Sequence, residues 1–220
     1  MASIWERLFG SAGREVPQRD VPQPANDAGL HAALRDMRDR VRRDVMSGFY
    51  SPEAIVESAV EYVSDQVPGT DLRPHAEQMV AEALAEHRAE QETWPATTDC
   101  DRLEAAFAAL EAGGIVMRQN FTCCGSCGSA EIWDEVEAFE GSGAKAYGYG
   151  FYHMQDTDNA VEGGGVYLNY GACEEGEEPA LATGRAIVAE VERHGLKTDW
   201  DGSLGRRIKV ELDWKRRGDA

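Results

Sequence analysis

The sequence predicts an α+β fold: a small N-terminal helical region, then a domain with helices on one face of an antiparallel or mixed sheet of about five strands. Three observations predict it. Before residue 96 the apolar residues recur at helical steps of three and four. After residue 96 helical segments alternate with short runs rich in β-branched and aromatic residues. The last run, residues 207–214, alternates apolar and polar side chains, as an antiparallel strand with one solvated face does.

The chain of 220 residues divides into three predicted parts. Residues 1–28 form a flexible tail and linker, because residues 10–28 contain three prolines, several polar residues and no apolar periodicity. Residues 29–95 form the helical region, and residues 96–217 form the α+β domain, which carries a cysteine-rich turn. A chain of this length is long enough for one good domain and a smaller one.

Three amphipathic helices are predicted in the helical region, and together they can pack as a small bundle. The second helix has the clearest beginning. Ser51 suits the N-cap position, Pro52 the first helical position, and Glu53 the positive end of the helix dipole. The apolar stripes comprise Leu30, Leu34, Met37, Val41 and Val45 in the first helix, Ile55, Ala59, Val63 and Val67 in the second, and Met79, Val80, Ala83, Leu84 and His87 in the third.

Helices and strands alternate in the predicted α+β domain. Asp99 caps a helix that ends at Gly113, and Ser129 caps the helix that follows the cysteine-rich turn. A third helix ends at Gly195. The predicted order is helix, strand, helix, strand, strand, helix, strand, strand. The second of these helices is expected to bury Ile132, Trp133, Val136 and Phe139, and the strands are expected at residues 115–121, 146–153, 165–171, 197–200 and 207–214.

The charge of the chain restricts its partners. Acidic residues outnumber basic ones by 40 to 22, and residues 121–180 hold twelve acidic residues against the single lysine Lys145. The formal net charge of −18 repels phosphate backbones, so we expect no nucleic-acid partner and consider a basic protein partner instead. No apolar run could span a bilayer and no secretory signal is apparent, which predicts a cytoplasmic protein with reduced cysteines.

The segment "NFTCCGSCGS", residues 120–129, holds three of the five cysteines and is the candidate site. Cys124 and Cys127 have the spacing of a zinc knuckle, in which glycine lets the backbone wrap a tetrahedral ion. Cys123 supplies a third ligand. A second half-site is missing, so the fourth ligand would be an isolated residue, for which the candidates are Cys173, His153 and Cys100. We take Cys123, Cys124, Cys127 and Cys173 as the predicted metal ligands, with zinc as the candidate ion.

Two other interpretations of this turn remain open. A strand, a C-x-x-C pair and a helix are the order seen in thioredoxin-like oxidoreductases, in which Cys124 would be the nucleophile and Cys127 the resolving thiol. That fold needs a proline before a later strand, and no proline lies between Pro95 and Pro179. The third interpretation is structural, because free cysteines pack well beneath tight connections.

A weaker candidate is the segment "HMQDTDNAVEGGG", residues 153–165. Alternating carboxylates at Asp156 and Asp158, with Asn159 and Glu162, could hold calcium, but no glutamate closes the loop at its last position. A solvated hairpin loop is the expected structure there. No nucleophile has an evident base anywhere in the chain, so enzymatic activity stays uncertain and is not favoured.

Two segments carry a resemblance to a known family: "TTDCDRLEAAFAALEAGGIVMRQNFTCCGSCG" and "YGFYHMQDTDNAVEGGGVYLNYG". They resemble a bacterial, mainly actinobacterial, family of domains of unknown function that has the motif NFTCC-x-x-CG. The resemblance covers most of residues 28–214. It implies a bacterial cytosolic setting and the same domain plan, and it transfers no catalytic residues.

These observations lead to two functional hypotheses. The first is a cytosolic binding or interaction module, with an acidic surface for a basic partner. The alternative is a thiol-based redox protein or a zinc-dependent protein that uses the CCGSCG turn. The first is favoured because the sequence contains no complete catalytic set.

Overall fold

A computed structural model describes residues 27–218 of the protein. The predicted tail and linker, residues 1–28, therefore lies outside the described residues except at its last two positions. Between residues 27 and 218 the chain forms seven helices and five strands. None of these helices is long and apolar enough to cross a membrane.

The helical region forms three helices that pack against one another: α1 (Asp27–Ser47), α2 (Pro52–Ser64) and α3 (Arg73–Gln91). The Ser51 hydroxyl accepts a hydrogen bond from the N–H of Ala54 at 3.3 Å, so α2 begins as predicted. Except for His87, the predicted stripes pack into one cluster, in which Met37, Ile55 and Val63 have no more than 1% of their surface exposed.

The α+β part contains four helices and a mixed sheet of five strands. The strand order is β1-β2-β3-β5-β4, with β1 and β2 parallel and every other neighbouring pair antiparallel. This arrangement confirms the predicted α+β class. The elements are α4 (Asp99–Ala112), β1 (Ile115–Arg118), α5 (Gly125–Gly141), β2 (Gly148–Phe151), α6 (Met154–Val161), β3 (Val166–Ala172), α7 (Glu177–Arg193), β4 (Lys197–Asp199) and β5 (Ile208–Glu211).

Helices lie on both faces of this sheet. Leu103 and Phe107 of α4 and Ile187 of α7 share the main core with strand residues. On the opposite face Val136 of α5 packs against Val116 of β1. Successive residues of a strand point to opposite faces, so β1 contributes to both cores. The prediction of helices on one face is therefore correct for α4 and α7, and α5 is the exception.

One helix was not expected from the sequence. Residues 154–161 form α6 in place of the predicted hairpin loop. His153 caps it: its Nδ1 accepts from the N–H of Asp156, and the Asp156 carboxylate accepts from the N–H of His153. Thr157 and Ala160 are buried against the rest of the protein. The calcium-loop hypothesis is wrong, because its carboxylates lie along a helix and at its end.

Two helix beginnings and one side chain also differ from the predictions. Thr98, not Asp99, caps α4, because the Thr98 hydroxyl and the Asp101 carboxylate each accept the other residue's N–H. Helix α5 begins at Gly125, four residues before the predicted cap Ser129. Trp133 is 46% exposed and packs edge-on against a tyrosine of β2 instead of entering the core.

The helical region and the α+β part meet through a few specific contacts. The Trp214 indole N–H donates to the carbonyl of Met46 at 3.0 Å, and Phe49 packs against the same indole. The Asn120 amide donates to the Tyr50 hydroxyl at 3.1 Å. The buried residues otherwise form separate clusters, one for residues 29–95 and the others for residues 96–217. The division of the chain into two parts at residues 95 and 96 stays a prediction.

Candidate functional site

The cysteine-rich turn connects β1 to α5 and has an unusual backbone. Asn120 and Thr122 have φ values of 50° and 57°, in the left-handed region that a β-branched residue such as threonine rarely adopts. Hydrogen bonds fix this conformation: the N–H of Met154 donates to the Thr122 carbonyl at 3.1 Å, and the Thr122 hydroxyl donates to the Cys124 carbonyl at 3.1 Å. Such strained residues persist only where their surroundings determine them, and they concentrate at functional sites.

Gly128 lets the first turn of α5 lie close to the sheet. A Cβ atom at Gly128 would come 2.7 Å from Cζ of Phe151, nearer than real Cβ atoms come to any neighbour. A Cβ atom at Gly125 would lie 3.6 Å from Cδ2 of His153. Cys123 is exposed, and Cys124 and Cys127 are partly exposed. The first turn of α5 therefore lies close to the sheet at Gly128, and the thiols stay accessible to solvent.

The three thiols of this turn converge in space. The Sγ atoms of Cys123, Cys124 and Cys127 all lie within 4.8 Å of one another, and those of Cys123 and Cys127 are 3.4 Å apart. In the part of the chain that the structure describes, no other group of three His, Cys, Asp or Glu ligand atoms is this compact. Zinc binds thiolate sulfur at about 2.3 Å, which places two sulfurs of a tetrahedral site about 3.8 Å apart. The thiols therefore lie near the spacing that such an ion requires.

The electrostatic environment separates these thiols. Hydrogen bonding from the N–H of Cys127, then from its thiol and from the N–H of Ser126, lowers the pKa of Cys124. Side-chain hydrogen bonds with Cys123 and Cys124, and then the charges of these two groups, raise the pKa of Cys127 to about 11. Cys124 therefore ionises before Cys127, and a bound cation would favour the ionised form of both thiols.

Cys173, the fourth predicted ligand, does not belong to the compact group. It packs against the small core under α5 and lines a cavity of about 510 Å³ together with Lys145 and Tyr147. Burial, with a smaller effect of the nearby Glu140, raises the pKa of the Cys173 thiol. The structure therefore brings together three of the four residues that the sequence singled out.

The other two ligand candidates have structural roles. Cys100 is buried in the main core, where its sulfur accepts the N–H of Lys215 and burial raises its pKa to about 12. Both ring nitrogens of His153 have partners. Nδ1 accepts the N–H of Asp156 in the α6 cap, and Nε2 lies 3.1 Å from the Asp156 carboxylate and 3.2 Å from the guanidinium of Arg207. Burial lowers the pKa of His153, and the Asp156 carboxylate opposes that shift.

Sequence reasoning missed the polar network beneath the turn. Arg207 donates to the Asp156 carboxylate at 3.0 Å and to the Tyr167 carbonyl at 3.3 Å, and it is 51 residues from Asp156 in the chain. Asn169 lies close to Gly125, and its amide nitrogen is buried with no hydrogen-bond partner. The spacing of His153 and Asp156, which matches that of a capping box, was the only local signal for this network.

Comparison with known proteins adds a family but no activity. The model of a domain of unknown function, DUF6891, matches residues 31–218, which include both the helical region and the α+β part. No curated protein and no solved structure matches the chain significantly. The chemistry of the thiol site must therefore be inferred from its own geometry.

Proposed function

The chain belongs to DUF6891, a family of domains of unknown function, and we propose that its cysteine-rich turn binds a soft divalent metal ion, with zinc as the expected ion. One observation carries the proposal, which is the convergence of the Sγ atoms of Cys123, Cys124 and Cys127 within 4.8 Å. Thiolates are the ligands that zinc and other soft metals prefer over the carboxylates abundant elsewhere in this chain.

The charges of the site support metal binding. Three thiolates without a cation would repel one another. Hydrogen bonds with the Cys123 and Cys124 side chains, and then the charges of those two groups, raise the pKa of Cys127 in the absence of an ion. A divalent cation reverses this effect, because it stabilises every thiolate that it ligates. The lowered pKa of Cys124 favours the ionised form that a metal ligand needs.

The proposed site has three protein ligands. Zinc sites with three protein ligands hold a water molecule or a substrate in the fourth position, whereas closed sites are purely structural. Cys173 stays a prediction as fourth ligand, since it would have to move from its place at the small core under α5 to reach the ion. A site of three thiolates and a site of four thiolates differ in whether replacement of Cys173 lowers the zinc affinity.

The test is metal analysis of the purified full chain, expressed without a metal-binding tag. We expect about one zinc per chain, and we expect a cobalt(II)-loaded sample to show thiolate charge-transfer and tetrahedral absorption bands. Cys123→Ser, Cys124→Ser and Cys127→Ser should each weaken zinc binding at least about tenfold in competition with a chromophoric chelator.

Cys173→Ser is the matched control. Unchanged zinc affinity in this variant supports the three-thiolate site, and a loss equal to that of Cys127→Ser supports four thiolates. The proposal fails if the wild-type protein neither contains zinc nor binds added zinc or cobalt(II). It also fails if the three cysteine variants bind these ions as wild type does.

A second candidate function, thiol–disulfide exchange, rests on the 3.4 Å separation of the Cys123 and Cys127 sulfurs. Hydrogen peroxide would oxidise two of the three thiols to one disulfide and release two water molecules. The lowered pKa of Cys124 fits a reactive thiol that a neighbour resolves. Treatment of the metal-free protein with one equivalent of peroxide, followed by mass-spectrometric mapping, should then find a disulfide within the turn. Sulfinic acid or unmodified thiols at all three positions would exclude this candidate.

The interaction module predicted from the acidic sequence stays a prediction. It is compatible with the metal site, because a structural zinc ion commonly fixes a loop in domains of that kind. Neither a basic partner nor an enzymatic activity is part of the present proposal.

A further inference from the structure

A second cavity lies where the helical region meets the C-terminal segment. It has a volume of about 250 Å³ and lies between α3, α6 and the residues that follow β5. Its walls combine aromatic and charged side chains, namely His87, Glu90, Trp94, Asp213, Trp214 and Lys215. None of these residues belongs to the thiol site.

His87 is the central feature of this cavity. Only 7% of the residue is exposed, and neither ring nitrogen has a hydrogen-bond partner. Buried polar groups in proteins are nearly always paired, so an unpaired buried imidazole on a cavity wall indicates a place for a ligand.

The chemistry of His87 selects the kind of ligand. Burial lowers the pKa of His87. The backbone of Arg216 and the charge of Glu90 oppose this shift, although neither group forms a well-aligned hydrogen bond with the imidazole ring. The ring is therefore neutral near pH 7, and a neutral imidazole keeps one nitrogen as an acceptor. A ligand that donates an N–H group would satisfy that nitrogen.

The charges around the cavity favour a cation. Glu90 and Asp213 both line it, and Asp213 is already paired with Lys215 at 2.6 Å. The Glu90 carboxylate makes no ion pair within the described residues, so the wall carries one uncompensated negative charge. A monovalent cation fits this balance.

The aromatic rings of the cavity favour the same ligand. Trp94 packs edge-on against His87 with the ring centroids 5.3 Å apart, and Trp214 is 8% exposed. Aromatic faces attract organic cations, and the guanidinium of Arg217 already lies 5.9 Å from the Trp94 ring centre. Apolar side chains, Met46, Val161 and Leu212, complete the walls.

We propose that this cavity binds a small organic monocation, a primary ammonium group on a short apolar chain. The ammonium donates to the free nitrogen of His87 and faces the carboxylate of Glu90, while the apolar chain contacts the indole rings. Because the helical region and the C-terminal segment both contribute to the cavity, the bound ligand connects the two parts of the protein. This inference is independent of the metal proposal.

The test uses n-butylammonium as the probe, with n-butanol and butyrate as neutral and anionic controls of similar size. Binding to the full chain is followed by saturation-transfer NMR and by tryptophan fluorescence. We expect n-butylammonium to bind with a dissociation constant of about a millimolar, which a ligand with five non-hydrogen atoms can reach. Butanol should bind about tenfold more weakly, and butyrate should not bind.

The variants separate the two contacts. His87→Phe keeps a ring and removes the acceptor, and Glu90→Gln removes the charge at an exposed position where folding should be unaffected. Each should weaken n-butylammonium binding about tenfold. His75→Phe, at an exposed position of the same helix, should leave binding unchanged.

Two results would overturn the proposal. The first is absence of saturable binding by folded wild-type protein, which would mean that the cavity holds only water. The second is equal binding of n-butylammonium and n-butanol, or binding by Glu90→Gln as tight as that by wild type.

Discussion

Replacement of Gly128 by alanine tests how the thiol turn is held against the sheet. The added methyl group would lie 2.7 Å from Cζ and 3.1 Å from Cδ2 of the Phe151 ring. Phe151 is completely buried and packs edge-on against Phe121, so the ring cannot move aside without disturbing the core. Helix α5 must instead shift away from the sheet.

The size of the effect follows from two opposing contributions. Exchange of glycine for alanine inside a helix stabilises it by about 1 kcal/mol. Overpacking of a buried contact costs about 1–3 kcal/mol. Gly128→Ala should therefore lower the free energy of unfolding by about 0–2 kcal/mol.

The matched control is Gly141→Ala in the same helix. A Cβ atom at Gly141 meets nothing within 4 Å, so this exchange brings the helix contribution without the clash. The difference between the two variants isolates the contact with Phe151, and it should be about 1–3 kcal/mol. For a chain of this length, that corresponds to a difference of about 2–12 °C in Tm, measurable by calorimetry.

The same variant should affect the thiol site. Gly128 directly follows Cys127, so a shift of α5 changes the 3.4 Å separation of the Cys123 and Cys127 sulfurs. We expect zinc affinity to fall about tenfold, as it does when supporting residues of metal sites are altered. Equal stability of Gly128→Ala and Gly141→Ala, together with unchanged zinc affinity, would refute this account of the turn.

Three further changes test the rest of the fold. Leu168→Ala in the fully buried centre of β3 should lower the free energy of unfolding by about 2–5 kcal/mol in urea titrations. Thr98→Ala removes one half of the α4 capping box and should cost about 1 kcal/mol, whereas Ser203→Ala, at an exposed loop position, should cost less. Burial lowers the pKa of His87 in the folded protein. Below a pH of about 6.5 the imidazole therefore binds a proton more readily in the unfolded chain than in the folded one, and the free energy of unfolding should fall as the pH drops. His87→Phe should reduce this dependence, and an unchanged pH profile would contradict the assignment.

Much of the fold could be predicted because its signals are local. The stripes of α1 and α2 pack into one cluster, the cap at Ser51 forms, and Ile208 and Val210 are buried, as their spacing predicted. Helix α6 was missed because histidine is an unusual N-cap and the surrounding carboxylates resembled a loop. Trp133 was misplaced because periodicity identifies the apolar stripe of a helix but not how far the neighbouring layer covers it.

The candidate sites were likewise predictable only where their residues lie close together in the chain. Cys123, Cys124 and Cys127 converge because they lie within five positions, at a distance that one turn and the start of a helix can close. No local pattern could show that Cys173 lies outside this group, since its place depends on how β3 leaves the sheet. The same is true of the contact between Asp156 and Arg207.

The sequence by itself determined the fold class, the amphipathic helices and the thiol turn, because each depends on residues a few positions apart and on the fixed geometry of helix and strand. Only the tertiary structure decided which face of the sheet α5 covers and which groups surround His87. Those features join residues far apart in the chain, and their positions follow from the topology and packing of the whole protein.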